Sequence, residues 1–113
     1  MNIGTEVLIE AAGCREETLR DAGRLQQLFA RIIGELDLHQ LSEAWHVFPP
    51  PGGVTGLVML TESHLACHTY PEHGVAAINL YCCRARPEWP WRERLFELLG
   101  ATDVRVRIVE RAL

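Results

Sequence analysis

Two apolar runs, Val54–Leu60 and 75–81, narrow the possible folds of this chain more than any other feature. Each has the length of a strand and is rich in Val, Ile, Leu or Tyr, so both read as buried strands rather than helices. Both carry apolar side chains on their two alternating faces, and a sheet that holds them therefore needs cover on each side. The segment between them, Thr61-Glu62-Ser63-His64-Leu65-Ala66-Cys67-His68-Thr69-Tyr70-Pro71-Glu72, is the densest in reactive groups anywhere in the chain. Strands on either side can fix such groups to the tolerance that chemistry needs.

The rest of the chain supplies the other elements of a small sheet. Residues 5–12 alternate, with Val7 and Ile9 on one face and Glu6, Leu8 and Glu10 on the other, and Gly13-Cys14 ends the strand. Glu16 and Glu17 then open a helical pattern in which Leu19, Ala22, Leu25, Leu28, Phe29, Ile32, Ile33 and Leu36 recur at three- and four-residue spacing. This predicts one amphipathic helix of about twenty residues lying on a sheet. A second strand is expected within 41–48, with Trp45 and Val47 on one side and His46 and Phe48 on the other. Pro49-Pro50-Pro51-Gly52-Gly53 follows as a loop, because proline cannot donate to a ladder and glycine tolerates positive φ.

After Val54–Leu60, strands are expected at 64–70 and 75–82, joined by the turn Pro71-Glu72-His73-Gly74. A shorter helix opens over 86–91 with proline in its first turn, buries Leu95, Phe96, Leu98 and Leu99, and stops at Gly100. Val104, Val106 and Ile108 alternate with Arg105 and Arg107, which predicts a half-exposed edge strand over 103–110. The order β-α-β-β-β-β-α-β specifies a single α+β domain over 1–113, a two-layer sandwich whose antiparallel-rich sheet carries two helices on one face. The opposite face stays apolar, and a second molecule is the expected cover.

Charge and composition exclude several functions. A net charge of −4, with cations scattered along the chain, disfavours nucleic-acid and anionic-membrane partners. No apolar run approaches a membrane span, and the N-terminus lacks the basic start of a signal peptide, so a cytoplasmic protein is expected. The four cysteines have neither disulfide-framework nor zinc-clip spacing, and Cys14, Cys67 and Cys82 read as reduced, buried thiols. All eleven positive side chains are arginine. Without lysine the chain cannot hold pyridoxal phosphate as a Schiff base, so if it decarboxylates an amino acid its carbonyl must come from elsewhere.

The run from Glu62-Ser63-His64-Leu65 through His68-Thr69-Tyr70-Pro71-Glu72, Gly74 and Ala76-Ala77-Ile78, followed by Cys83, resembles the signature of the small bacterial and archaeal S-adenosylmethionine decarboxylases. The likeness is dense from about Phe48 to Cys83, looser toward the N-terminus, and weak after Arg84. It implies a proenzyme that cuts its backbone between Glu62 and Ser63 into a β chain, 1–62, and an α chain, 63–113, and turns Ser63 into a pyruvoyl group. That group would form a Schiff base with the substrate amine and act as the electron sink for CO₂ loss, within polyamine biosynthesis. The resemblance further assigns His68 as the base in processing, Thr55 as a supporting hydroxyl, and Cys83 as the acid that returns a proton to the substrate. Glu72 would grip the ribose hydroxyls of an adenosyl substrate and Phe48 would stack on adenine. No metal is implied, and the assembly is a homodimer with facing sheets.

Strand geometry adds a constraint. Five residues of strand span ~16 Å, so Ser63 and His68 of one chain do not meet if 64–70 is extended. Active sites built from two protomers are therefore expected: Ser63 and Cys83 from one, Thr55, His68 and Glu72 from the other. Glu6, Asn79 and Thr55 depart from the residues frequent in the family, which keeps L-ornithine or L-arginine open as substrates. Either would need a carboxylate such as Glu6, Glu10 or Glu72 for its distal cation. The rival of another class is an unprocessed regulatory or zinc-binding homologue using Cys67, His68, Cys82 and Cys83, although neighbouring cysteines on a strand point to opposite faces.

Overall fold

Six strands, β1 (Asn2–Ala12), β2 (Gln40–Val47), β3 (Val54–Leu60), β4 (Ser63–Tyr70), β5 (Val75–Cys82) and β6 (Asp103–Ala112), form one sheet in the order β2-β3-β4-β5-β1-β6. All neighbouring pairs are antiparallel. The computed structural model describes residues 1–113. The two apolar runs become β3 and β5, and together with β4 and β1 they form the interior of the sheet, while β2 and β6 are its edges. The strands follow one another along the chain in the expected order, and β6 is the edge strand that its alternation predicts.

All helices lie on one face. Val54, Val58 and Leu60 of β3, Leu65 and Cys67 of β4, Ala76, Ile78 and Leu80 of β5 and Ile9 and Ala11 of β1 are buried beneath them. The intervening residues point to the other face, where Leu57 and Met59 are 49% and 51% exposed. Helix α2 (Ala22–Glu35) buries Leu25, Leu28, Phe29 and Ile32, each contributing roughly 1.5–3 kcal/mol. Phe29 packs on Trp45 of β2 with ring centroids 5.1 Å apart, which holds that edge strand to the helical layer.

Three helical expectations need correction. The simplest concerns Phe96, expected in the buried face of the second helix with Leu95, Leu98 and Leu99: it points to solvent, 62% exposed. The first stripe is not one helix but two, α1 (Glu16–Leu19) and α2, so the layer contains three helices with α3 (Trp91–Leu99). The break has a tertiary cause: the Leu19 carbonyl, instead of continuing the helix, accepts a hydrogen bond at 2.6 Å from Thr69 Oγ1 on β4. Asp21 then caps the new start, its carboxylate accepting from the Arg24 amide. The second helix begins at Trp91 rather than within 86–90, with Pro90 at its N-cap, so the preceding residues form a loop. Gly100, with φ of 73°, ends it as expected.

Candidate active site

The reactive segment folds into β4 and the turns at its two ends, and these ends carry different chemistry. At the far end, the β3–β4 register places Thr55 opposite His68 on the face without helices. Thr55 Oγ1 lies 3.1 Å from His68 Nδ1, which fixes the ring and leaves Nε2 directed away from the hydroxyl. His46 of β2 lies opposite Thr55 in the same row, and its ring meets Phe48 edge-on at 4.5 Å. Phe48 is 47% exposed at the mouth of the proline loop, with its apolar face available.

The backbone under this end is rigid for identifiable reasons. Thr69 Oγ1 accepts from the Val54 amide at 2.8 Å while donating to Leu19, so the residue after His68 ties β3, β4 and α1 together. A Cβ on Gly53 would come within 2.2 Å of the Thr69 carbonyl oxygen, so only glycine allows the loop to close against β4. Glu72 lies exposed in the short 3₁₀ turn Pro71–His73, which Gly74 ends at φ 65°. Thr55, His68, Phe48 and Glu72 therefore share one end of β3 and β4, or the loops that leave it.

At the other end, Thr61 and Glu62 turn the chain from β3 into β4, and Ser63 is the first residue of the new strand. Ser63 pairs with Cys82 and lies, half-buried, on the side facing the helices. The Cys83 amide donates to the Glu62 carbonyl oxygen at 3.1 Å. This is the carbonyl immediately before Ser63, so a fixed backbone donor sits on the oxygen that would gain charge if Ser63 Oγ attacked. Arg84 pairs with the Glu62 carboxylate. Sequence reasoning named Cys83 for its thiol but missed its amide and Arg84, because only the fold brings residues 83 and 84 to 62. Burial pushes the Cys82 thiol up, with Arg86 and the Ser63 hydroxyl opposing.

Within one chain the structure thus joins Thr55 to His68, and Glu62 and Ser63 to Cys83, but keeps the two groups at opposite ends of β4. Neither cavity of the single chain contains Thr55, His68 or Glu72; the larger, about 440 Å³, lies under Trp89 and Trp91 and reaches Cys82. The zinc alternative does not assemble. Cys67 and Cys82 are buried, Cys83 is exposed, and no three His, Cys, Asp or Glu side chains converge on a metal position.

A third cluster crosses the helix-free face. His64 Nε2 is 3.0 Å from Asn79 Oδ1, Asn79 Nδ2 donates to Glu6 Oε2 at 2.7 Å, and Arg111 donates to Glu6 Oε1 at 2.7 Å. Glu6 and Asn79, read separately as departures from the family pattern, are in contact.

A six-stranded antiparallel sheet with helices on one face only defines a two-layer α+β sandwich. It superposes on the crystal structure of the adenosylmethionine decarboxylase from Aquifex aeolicus with a TM-score of 0.82, covering 99% of this chain and 92% of that one at 24% identity. Residues 5–112 match the family model described as S-adenosylmethionine decarboxylase. The S-adenosylmethionine decarboxylase proenzyme of Syntrophomonas wolfei is 35% identical over 99% of this chain and 89% of its own length. That of Moorella thermoacetica is 35% identical over 98% and 89%. The chain belongs to the S-adenosylmethionine decarboxylase family.

Proposed function

We propose that this chain is a self-cleaving proenzyme that decarboxylates S-adenosylmethionine. The observation that carries the reading is the Cys83 amide on the Glu62 carbonyl oxygen, directly before Ser63. Attack of Ser63 Oγ on the Glu62 carbonyl carbon moves the acyl group from nitrogen to oxygen, and the Cys83 N–H stabilises the oxyanion that forms on the way. Loss of the Ser63 Cα proton to a base then expels the Glu62 carboxylate and leaves a dehydroalanine. Its tautomer adds water and releases ammonia, giving a β chain, 1–62, and an α chain that begins with a pyruvoyl residue at 63.

A pyruvoyl group there supplies the electrophilic ketone and electron sink that a chain without lysine cannot obtain from pyridoxal phosphate. The donor set around residue 63 fits such a group: a half-buried strand start, a backbone amide beside it, and an exposed thiol at Cys83 able to return a proton to the substrate. His68, positioned by Thr55, is the base of processing; Glu72 and Phe48 hold the ribose and adenine of the substrate. Because His68 and Ser63 of one chain lie at opposite ends of β4, each site takes Thr55, His68 and Glu72 from the second protomer of a homodimer. The cytoplasm is the expected compartment; no helix is long and apolar enough to cross a membrane.

Ornithine and arginine fit less well. Glu6 is bound by Arg111 and Asn79, and Glu10 by Arg107, so of the three carboxylates named for a distal cation only Glu72 is free to hold one. The test is intact mass of the purified protein under denaturing conditions, followed by CO₂ release from S-adenosylmethionine, ornithine and arginine. Two fragments split before residue 63 and turnover of S-adenosylmethionine are expected. An uncut chain with an unmodified serine, or turnover confined to ornithine or arginine, would overturn the proposal.

A further inference from the structure

Cleavage before residue 63 leaves the ketone at the very first position of β4, with no covalent link to β3. Chain ends without such a link fray unless side chains hold them, and a frayed end would carry the reactive carbon out of register. The first side chain available to prevent this is His64. It is the head of the line of hydrogen bonds that crosses the helix-free face through Asn79 on β5 and Glu6 on β1 to Arg111 on β6.

The charged end of the line settles its polarity. The Asn79 amide and the Arg111 guanidinium hold Glu6 below the usual carboxylate range, so Glu6 is ionised and only accepts. Asn79 therefore turns its NH₂ to Glu6 and its carbonyl to His64, and His64 Nε2 carries the hydrogen between them. The imidazole also stacks on Tyr81, with centroids 5.7 Å apart and planes 19° from parallel. Nε2 is thus committed to Asn79 and the ring face to Tyr81, and neither partner has a part in the chemistry described above.

We propose that His64 is a positioning residue, and that the Arg111–Glu6–Asn79–His64 line anchors the ketone-bearing end of the α chain once the backbone has been cut. Glu6 belongs to the fragment 1–62 and the other three residues to 63–113, so the line also ties the two fragments across the break. The inference rests on the self-cleavage reading. Before cleavage the β3–β4 turn does the same work, so the anchor matters for the mature enzyme and not for processing.

The experiment uses the full-length protein after maturation. His64→Phe keeps the stack on Tyr81 and removes the donor. It is expected to cleave like the wild type, then to lose about tenfold in kcat with KM little changed, while the amides opening β4 exchange with solvent about tenfold faster. A second route does not depend on that variant. Asn79→Asp sets two carboxylates against each other and gives the same losses, whereas Glu6→Gln added to Asn79→Asp restores a donor between them and recovers both kcat and slow exchange. If the wild type is cut and active while His64→Phe matches it in exchange and kcat, or the double variant recovers nothing, the anchor is overturned and the proposed function stands. If the wild type itself stays uncut, both fall together.

Discussion

At the scale of single residues, the groups that matter are set apart by what touches them. Cys67 and His68 are neighbours in sequence and opposites in environment: one is fully buried under the helices, the other exposed beside Thr55. Burial pushes the Cys67 thiol from an ordinary 9.0 up to about 12, and Cys14 up to about 11. A folded-state pKa above the unfolded one means that the native thiol keeps a proton that the unfolded chain releases. The contribution is complete below pH 9 and is lost as pH rises through the folded values. Stability should therefore fall between pH 9 and about 12, and Cys67→Ala should make that fall shallower, as read from urea midpoints. An unchanged slope in the variant would refute the assignment. Cys14, Cys67 and Cys82 were legible as buried thiols from composition alone, since free cysteine behaves as a small apolar side chain.

At the scale of elements, β4 was legible and its supports were not. Alternation placed a strand at the reactive segment, but the break between α1 and α2 depends on Thr69, fifty residues away from Leu19. A helical stripe continues across Asp21 in sequence, and nothing local reports that a hydroxyl from the sheet will take the Leu19 carbonyl. The start of α3 was misplaced for a related reason: proline is tolerated both at an N-cap and in a first turn, and the packing of Trp89 on Trp91 decides between them. The Asp21 cap gives an element-scale prediction. Asp21→Ala should cost about 1 kcal/mol of unfolding free energy in urea and leave the rate of self-cleavage unchanged, because α2 lies on the far side of the sheet from His68. A slowed cleavage would show that the helical layer controls the site more directly than its contacts indicate.

At the scale of the whole molecule, the sheet is half covered. Leu57 and Leu8 stand in the row between the Thr55–His68 pair and the row of His64 and Glu6, and Met59 lies directly opposite His64, all on the face that no helix reaches. The homodimer proposed above, in which a second copy packs its own helix-free face against this one, would account both for the apolar residues there and for the separation of Ser63 from His68 along β4. Mixing Ser63→Ala with His68→Ala protein should then restore one working site per heterodimer, giving turnover where each variant alone has none. Absence of recovery, with heterodimers verified by mass, would place both groups of a site in the same chain. Glu6 and Glu10 would meet that interface already neutralised by Arg111 and Arg107, so covering the face does not bury unpaired carboxylates.

What is periodic or contiguous could be read from the chain alone: six strands in order, the two faces of the alternating strands, the lack of a lysine for pyridoxal phosphate, and the motif from Glu62 to Cys83 that marks the family. Only the tertiary structure decided which residues become neighbours. The two-residue period of a strand assigns a face but says nothing about register or about which strand lies alongside. The pairing of Thr55 with His68, the meeting of Glu6 and Asn79, and the Cys83 amide on the Glu62 carbonyl all follow from strand order and register. Those are set by how the whole apolar core closes, because long-range pairing is repaid only when every strand has found its partner.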